Sequence, residues 1–127
     1  MFRYLLLSVF LMMNLSASNA LAIEVYDILI TTAVIDREPV DSVEVFPRKS
    51  GRLFCSTRIT GADKPTVVRH VWYRGEQLMS RTALPVNSPD WRTWSARQLL
   101  EDLPGAWRVE IQDVDGNILQ EVNFQLR

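Results

Sequence analysis

Tryptophan placement constrains this chain most. His70-Val71-Trp72-Tyr73, Trp91-Arg92-Thr93-Trp94-Ser95 and Gly105-Ala106-Trp107-Arg108-Val109 each fall in a stretch rich in the residues that favour pleated backbone. An indole buries a large apolar area, so four of them can supply much of the core of a small domain. The chain must therefore bring several strands together so that these rings meet.

Stability has to come from that packing. Cys55 is the only cysteine, and one cysteine cannot close an intramolecular disulfide. It sits in Leu53-Phe54-Cys55-Ser56-Thr57, a strand-like run, and reads as a small buried hydrophobe.

The first residues read as an address, not as fold. Arg3 supplies a positive charge, Leu5 to Met13 is an apolar run broken only by Ser8, and small residues follow to Ser18-Asn19-Ala20-Leu21-Ala22. That order predicts a secretory signal peptide over 1–22, cut after Ala22 or, second, after Ala20. The apolar run is too short for a stable membrane span. The expectation is one domain over 23–127, exported to the periplasm or outside the cell and not inserted in a membrane. Loss of the leader removes one of the 14 basic residues and none of the 15 acidic ones. A slightly acidic protein has no electrostatic case for nucleic acid.

After residue 24 the chain reads as short strands punctuated by turns. Strands are predicted over Val25–Ile35, Leu53–Ile59, Val67–Arg74, Gln77–Val86, Trp91–Arg97, Trp107–Val114 and Ile118–Leu126, with a weaker one at Asp41–Phe46. Arg37-Glu38-Pro39 ends the first, because proline cannot donate to a ladder. Gly61-Ala62-Asp63-Lys64-Pro65 reads as a hairpin loop, Tyr73-Arg74-Gly75-Glu76 as a tight turn, and Asp115-Gly116 as the strongest hairpin signal. A single helical turn is expected in 98–103. About seven to nine strands with such regular turns predict an all-β, immunoglobulin-like antiparallel β-sandwich.

Alternation places the side chains. Trp107, Val109 and Ile111 share one face, with Arg108, Glu110 and Gln112 opposite; Ile118, Val122, Phe124 and Leu126 share another. If residues 53–59 and 67–74 form a hairpin, Leu53, Cys55 and Ile59 lie with Val68 and Trp72. Phe54 then lies with Val71 and Tyr73 on an outer face, which the Val25–Ile35 strand would cover. The predicted core is Leu53, Cys55, Trp72, Trp107, Val109, Ile111, Val122 and Phe124.

Chemistry-bearing clusters are sparse. His70 is the only histidine, and a metal site wants several ligands. A Cys55–His70 pair would lack an orienting group and an oxyanion hole. Asp113, Asp115, Glu101 and Asp102 all lie in turn-forming company, where acids bend backbone. No catalytic residue, metal or cofactor is expected. Trp91 and Trp94 point to opposite faces of one strand, so one of them should be partly exposed or lie against an arginine, Arg92 or Arg108. The candidate binding surface is Tyr73, Arg92, Trp94 and Arg97.

The order of blocks carries a resemblance. His70-x-Trp72-Tyr73, Trp91-Arg92-Thr93-Trp94-Ser95, Gly105-x-Trp107-Arg108-Val109, Asp113-x-Asp115-Gly116 and Phe124, with Asp36-Arg37-Glu38-Pro39 upstream, is similar to a bacterial family known as domain of unknown function 2914. The similarity runs from about Val34 to the C-terminus. It implies an exported or envelope-associated domain and brings no activity. The expected function is a non-enzymatic binding or interaction module, its partner an envelope protein or a polysaccharide. The alternative is a carbohydrate-binding module using exposed aromatic and arginine side chains; a small hydrolase is the weakest reading.

Overall fold

The structure, a computed structural model, describes residues 23–99 and 103–127. The leader lies outside the described residues, and so does part of the segment expected to form a helical turn. Ten strands are formed among the described residues: β1 Glu24–Thr31, β2 Val34–Ile35, β3 Glu38–Pro39, β4 Val45–Phe46, β5 Arg52–Thr60, β6 Thr66–Arg74, β7 Gln77–Val86, β8 Asp90–Gln98, β9 Gly105–Gln112 and β10 Ile118–Leu126. Three of these are only two residues long, and the seven long ones follow the predicted strands closely. The all-β, immunoglobulin-like sandwich expected from the sequence is what the chain forms.

One layer is a three-stranded sheet in the order β1-β5-β8; the other has five strands in the order β4-β10-β9-β6-β7. All pairings within them are antiparallel except β4 with β10, which run parallel. The first part of the chain thus serves both layers: β1 extends one sheet and β4 edges the other.

The expected hairpin between residues 53–59 and 67–74 is not formed. β5 pairs with β1 and β8, whereas β6 pairs with β7 and β9. The link of Gly61 to Pro65 crosses between layers. It lacks the two-residue turn that fixes strands at the close hydrogen-bonding distance, and it is long enough to span the roughly 10 Å between stacked sheets. The expected companions still meet, but across the sandwich: Leu53, Cys55 and Ile59 from β5 face Val68 and Trp72 from β6, all fully buried. Phe54 consequently lies on the opposite outer face from Val71 and Tyr73. β1 lengthens the smaller sheet edge-on and does not cover its face.

Of the predicted core, Leu53, Cys55, Trp72, Trp107, Val109, Ile111 and Phe124 are buried, and Val122 is half-buried against them. Ile118 breaks the expected pattern and is 58% exposed. A register shift between Ile118 and Gln120 turns Leu119 inward in its place. A bulge adds one residue to one strand and so reverses the faces beyond it.

The aromatic packing is tight. Phe124 stacks on Trp107 (centroids 5.9 Å apart, 23° between planes) and takes Trp72 and Phe46 edge-on at 6.0 and 6.1 Å. The Trp107 Nε1–H is satisfied by the Leu103 carbonyl at 3.0 Å.

A directional polar chain joins the layers beside this cluster. The Thr57 hydroxyl donates to the Thr93 carbonyl (3.2 Å), so its oxygen accepts from His70 Nε2–H (3.2 Å). Burial pushes the His70 pKa down to about 3, so the ring is neutral and Nδ1 is an acceptor. Ser95 therefore donates to Nδ1 (2.7 Å), and its oxygen accepts from Trp72 Nε1–H (3.0 Å). Every member has its partner, as buried polar groups require. His70 and Trp72 come from one sheet, and Ser95, Thr57 and Thr93 from the other.

Candidate binding cleft

Above one end of the smaller sheet, Arg37, Arg58, Ser88, Asp90, Trp91 and Arg92 line an open cleft of about 380 Å³. Ladder register creates it. Arg58 stands directly opposite Arg92, Ile59 opposite Trp91, and Thr60 opposite Asp90. Like charges directly opposite one another on a sheet are destabilising. Each guanidinium has its own acid: Arg58 makes a two-pronged bond to Asp90 (Nε to Oδ1 2.9 Å, Nη2 to Oδ2 2.7 Å), and Arg92 lies 3.5 Å from Glu38. The Arg58 fork holds the Asp90 carboxyl below the usual carboxylate range.

The third arginine arrives on the β2–β3 ribbon. Ile35 pairs with Glu38, leaving Asp36 and Arg37 as a two-residue turn with both φ angles positive, 53° and 66°. That is a type I′ turn, which normally recruits Asn-Gly or Asp-Gly. An arginine in this region is sterically costly. The ribbon is tied down at its base: Val40 N–H donates to the Ala33 carbonyl (3.1 Å), and Asp41 accepts from the Thr31 hydroxyl (2.6 Å), the Thr32 hydroxyl (2.7 Å) and Thr32 N–H (2.8 Å). Those bonds, led by Thr31, hold the Asp41 carboxyl below its ordinary range. The result places the Arg37 guanidinium 4.8 Å from the centre of the Trp91 ring.

The expected binding residues do not form one patch. Arg92 and Trp94 share the outer face of the smaller sheet, with Trp94 half-buried. Tyr73 lies on the outer face of the larger sheet, under the Arg108 guanidinium at 4.1 Å. Arg97 points between the layers, where Nη1 donates to the Met79 carbonyl (2.9 Å) and the guanidinium lies 5.6 Å from the Trp107 ring. An arginine does meet an indole, but the pairs are Arg37–Trp91 and Arg97–Trp107 instead of the expected Arg92 or Arg108 on tryptophan. Arg108 meets tyrosine because β9 and β6 are neighbours, with Tyr73 opposite Arg108.

Sequence reasoning missed Arg37 and Trp91 as a pair. The available signal was a strand-turn-strand reading of Val34-Ile35-Asp36-Arg37-Glu38-Pro39, disguised because neither turn residue is glycine.

His70 gives both ring nitrogens to Thr57 and Ser95 and none to Cys55. Burial pushes the Cys55 thiol well above its ordinary pKa. Asp113 spends its carboxylate on the β9–β10 turn, accepting from the backbone N–H groups of Asp115 (3.0 Å) and Asn117 (2.9 Å) and from the Asn117 side chain (3.1 Å). Glu101 and Asp102 lie outside the described residues. Among the described residues, no group of three or more His, Cys, Asp or Glu side chains could hold a metal ion, and no helix is long and apolar enough to cross a membrane.

No curated protein matches the chain. A solved structure of selenomethionine-labelled beta-glucosidase from Kluyveromyces marxianus is similar at 10% identity and a TM-score of 0.48, over 84% of this chain and 14% of that one. A likeness this loose carries no argument about function. Residues 65–126, from the lead into β6 to the end of β10, match the model of the family described as "Protein of unknown function (DUF2914)", and the match supports that family for this stretch.

Proposed function

We propose that this chain is an exported, non-enzymatic binding module whose ligand site is the Arg37–Trp91 cleft. The observation that carries the reading is the strained turn at Asp36-Arg37. Backbone strain in a non-glycine residue persists only where surrounding structure enforces it, and it clusters at ligand-contact positions. Here it holds a cation over a half-buried indole beside two further arginines. Five of the six described residues that line it are polar and the sixth is an indole wall, which suits a polar ligand with one C–H-rich face.

Carbohydrate is the ligand class this wall fits best. Trp72 and Trp107 are committed to the core, so Trp91 and Trp94 are the indoles left to contact a ligand, and they lie on opposite faces of β8. The leader-like residues 1–22 support export to the periplasm or beyond, where an envelope polysaccharide or glycosylated protein would be met.

Tryptophan fluorescence titrated with a panel of cell-wall and capsular oligosaccharides tests the site. Binding that disappears in Trp91→Ala and survives in Trp94→Ala is expected. Binding indifferent to Trp91→Ala would place the site elsewhere. Export is checked by the mass of the protein recovered outside the cytoplasm, expected to begin at Ile23 or Leu21.

A further inference from the structure

We infer that the cleft recognises an acidic saccharide, a uronate whose carboxylate is gripped by Arg37 and Arg92 while its ring packs against the exposed part of the Trp91 indole that the Arg37 guanidinium leaves uncovered. This rests on the cleft being the binding site and adds the ligand's chemistry.

The hydrogen-bond inventory points to it. A guanidinium presents five donors and no acceptor. Among the described residues Arg37 spends none of them on a protein acceptor; its contact is the Trp91 face. Arg92 has only the 3.5 Å approach to Glu38. Arg58 spends Nε and Nη2 on Asp90 and keeps Nη1. The acceptors are already occupied: both Asp90 oxygens receive Arg58, and the Ser88 hydroxyl donates to the Asp90 carbonyl (2.7 Å). A cleft with surplus donors selects a ligand rich in acceptors.

Charge gives the same answer. The described lining holds three arginines; Asp90 pairs with Arg58 and Glu38 approaches Arg92 from beside the cleft, which leaves Arg37 without an ion-pair partner among the described residues. The Arg37 guanidinium, held near the indole, keeps its N–H donors free, and a planar carboxylate can take two parallel bonds from such a fork. The indole selects a ligand with a flat, largely C–H surface next to the anion. A uronate pyranose offers that combination. A free inorganic anion leaves the indole unused, and an acidic peptide carries its carboxylates on flexible side chains with no rigid C–H face fixed beside them.

Isothermal titration of the wild-type protein with galacturonate and mannuronate trimers tests this, beside the methyl ester of the galacturonate trimer, inorganic phosphate and polyglutamate. At least one acidic trimer should bind. Esterification should weaken it tenfold or more, as should Arg37→Gln and Arg92→Gln, while Arg81→Gln on the far sheet leaves it unchanged. Thermal melts accompany each variant, and a weakened variant that melts with the wild type supports the assignment. Equal affinity for the neutral ester overturns the acidic class and leaves the cleft standing as a sugar site. Phosphate or polyglutamate binding as tightly as the trimer overturns the saccharide. Binding that ignores Arg37→Gln and also Trp91→Ala overturns the cleft itself, and no binding of either trimer overturns the uronate.

Discussion

The interior has two halves that do the same job by different physics. Around Phe124, the rings of Trp107, Trp72 and Phe46 are held by buried area and ring geometry. Around His70, the layers are held by a one-way relay of hydrogen bonds from Trp72 to the Thr93 carbonyl. Trp72 belongs to both, with its ring in one and its N–H in the other. The aromatic half rewards any close approach of the sheets. The polar half tolerates one register only, because a slipped strand would strand several buried donors and acceptors at once. Area supplies most of the stability and the relay supplies alignment.

Truncation should expose that difference. Trp107→Ala should cost about 3–5 kcal/mol, read by chemical denaturation, since the ring is fully buried and stacked on Phe124. A wild-type midpoint would mean the ring does not sit where the packing puts it. Acid should attack the other half first. The folded His70 pKa of about 3 lies below the ordinary 6.5, so the unfolded chain binds the proton and the native one does not between these values. His70's contribution is therefore intact above about pH 6.5 and is lost progressively below it, on the order of a few kcal/mol by the time the pH nears the folded value. His70→Gln should flatten that part of the stability profile, and an unchanged slope would show the loss has another source. Ser95→Ala should cost about 1–3 kcal/mol, because it leaves the Trp72 N–H and His70 Nδ1 unpaired in a dry interior. Smallest of all, Arg37→Gly should shift stability by less than about 1 kcal/mol, relief of the positive φ offsetting the lost indole contact. Its melting temperature should stay near wild type while ligand affinity falls.

The two halves were also unequally legible. Alternation in residues 107–111 and 122–126 announces the aromatic half, because a period of two with bulky apolar residues on one side leaves few other folds. His70 could be read only as a lone histidine, since its partners lie 13 and 25 residues away and become neighbours through pairings that periodicity does not encode. The same limit explains the misplaced hairpin. Loop composition at Gly61–Pro65 separates two strands but does not say whether the second turns back beside the first or crosses to the facing layer. The cleft was half legible. Trp91 and Arg92 stand out as a block, whereas Arg37 reaches them from more than fifty positions upstream through a turn whose residues advertise no turn. Side-chain chemistry alone groups Tyr73 and Arg97 with them, whereas strand pairing sends Tyr73 to the outer face of the larger sheet and Arg97 between the layers.

The parallel contact between β4 and β10 has a mechanical consequence. Gln125 N–H meets the Glu44 carbonyl, Arg127 N–H the Phe46 carbonyl and Arg48 N–H the Arg127 carbonyl, at 2.8–3.0 Å. Tension applied to β4 from its upstream side and to β10 from its downstream side would pull along the common strand axis in opposite senses. These bonds would then share the load in shear and would not open one after another like a zipper.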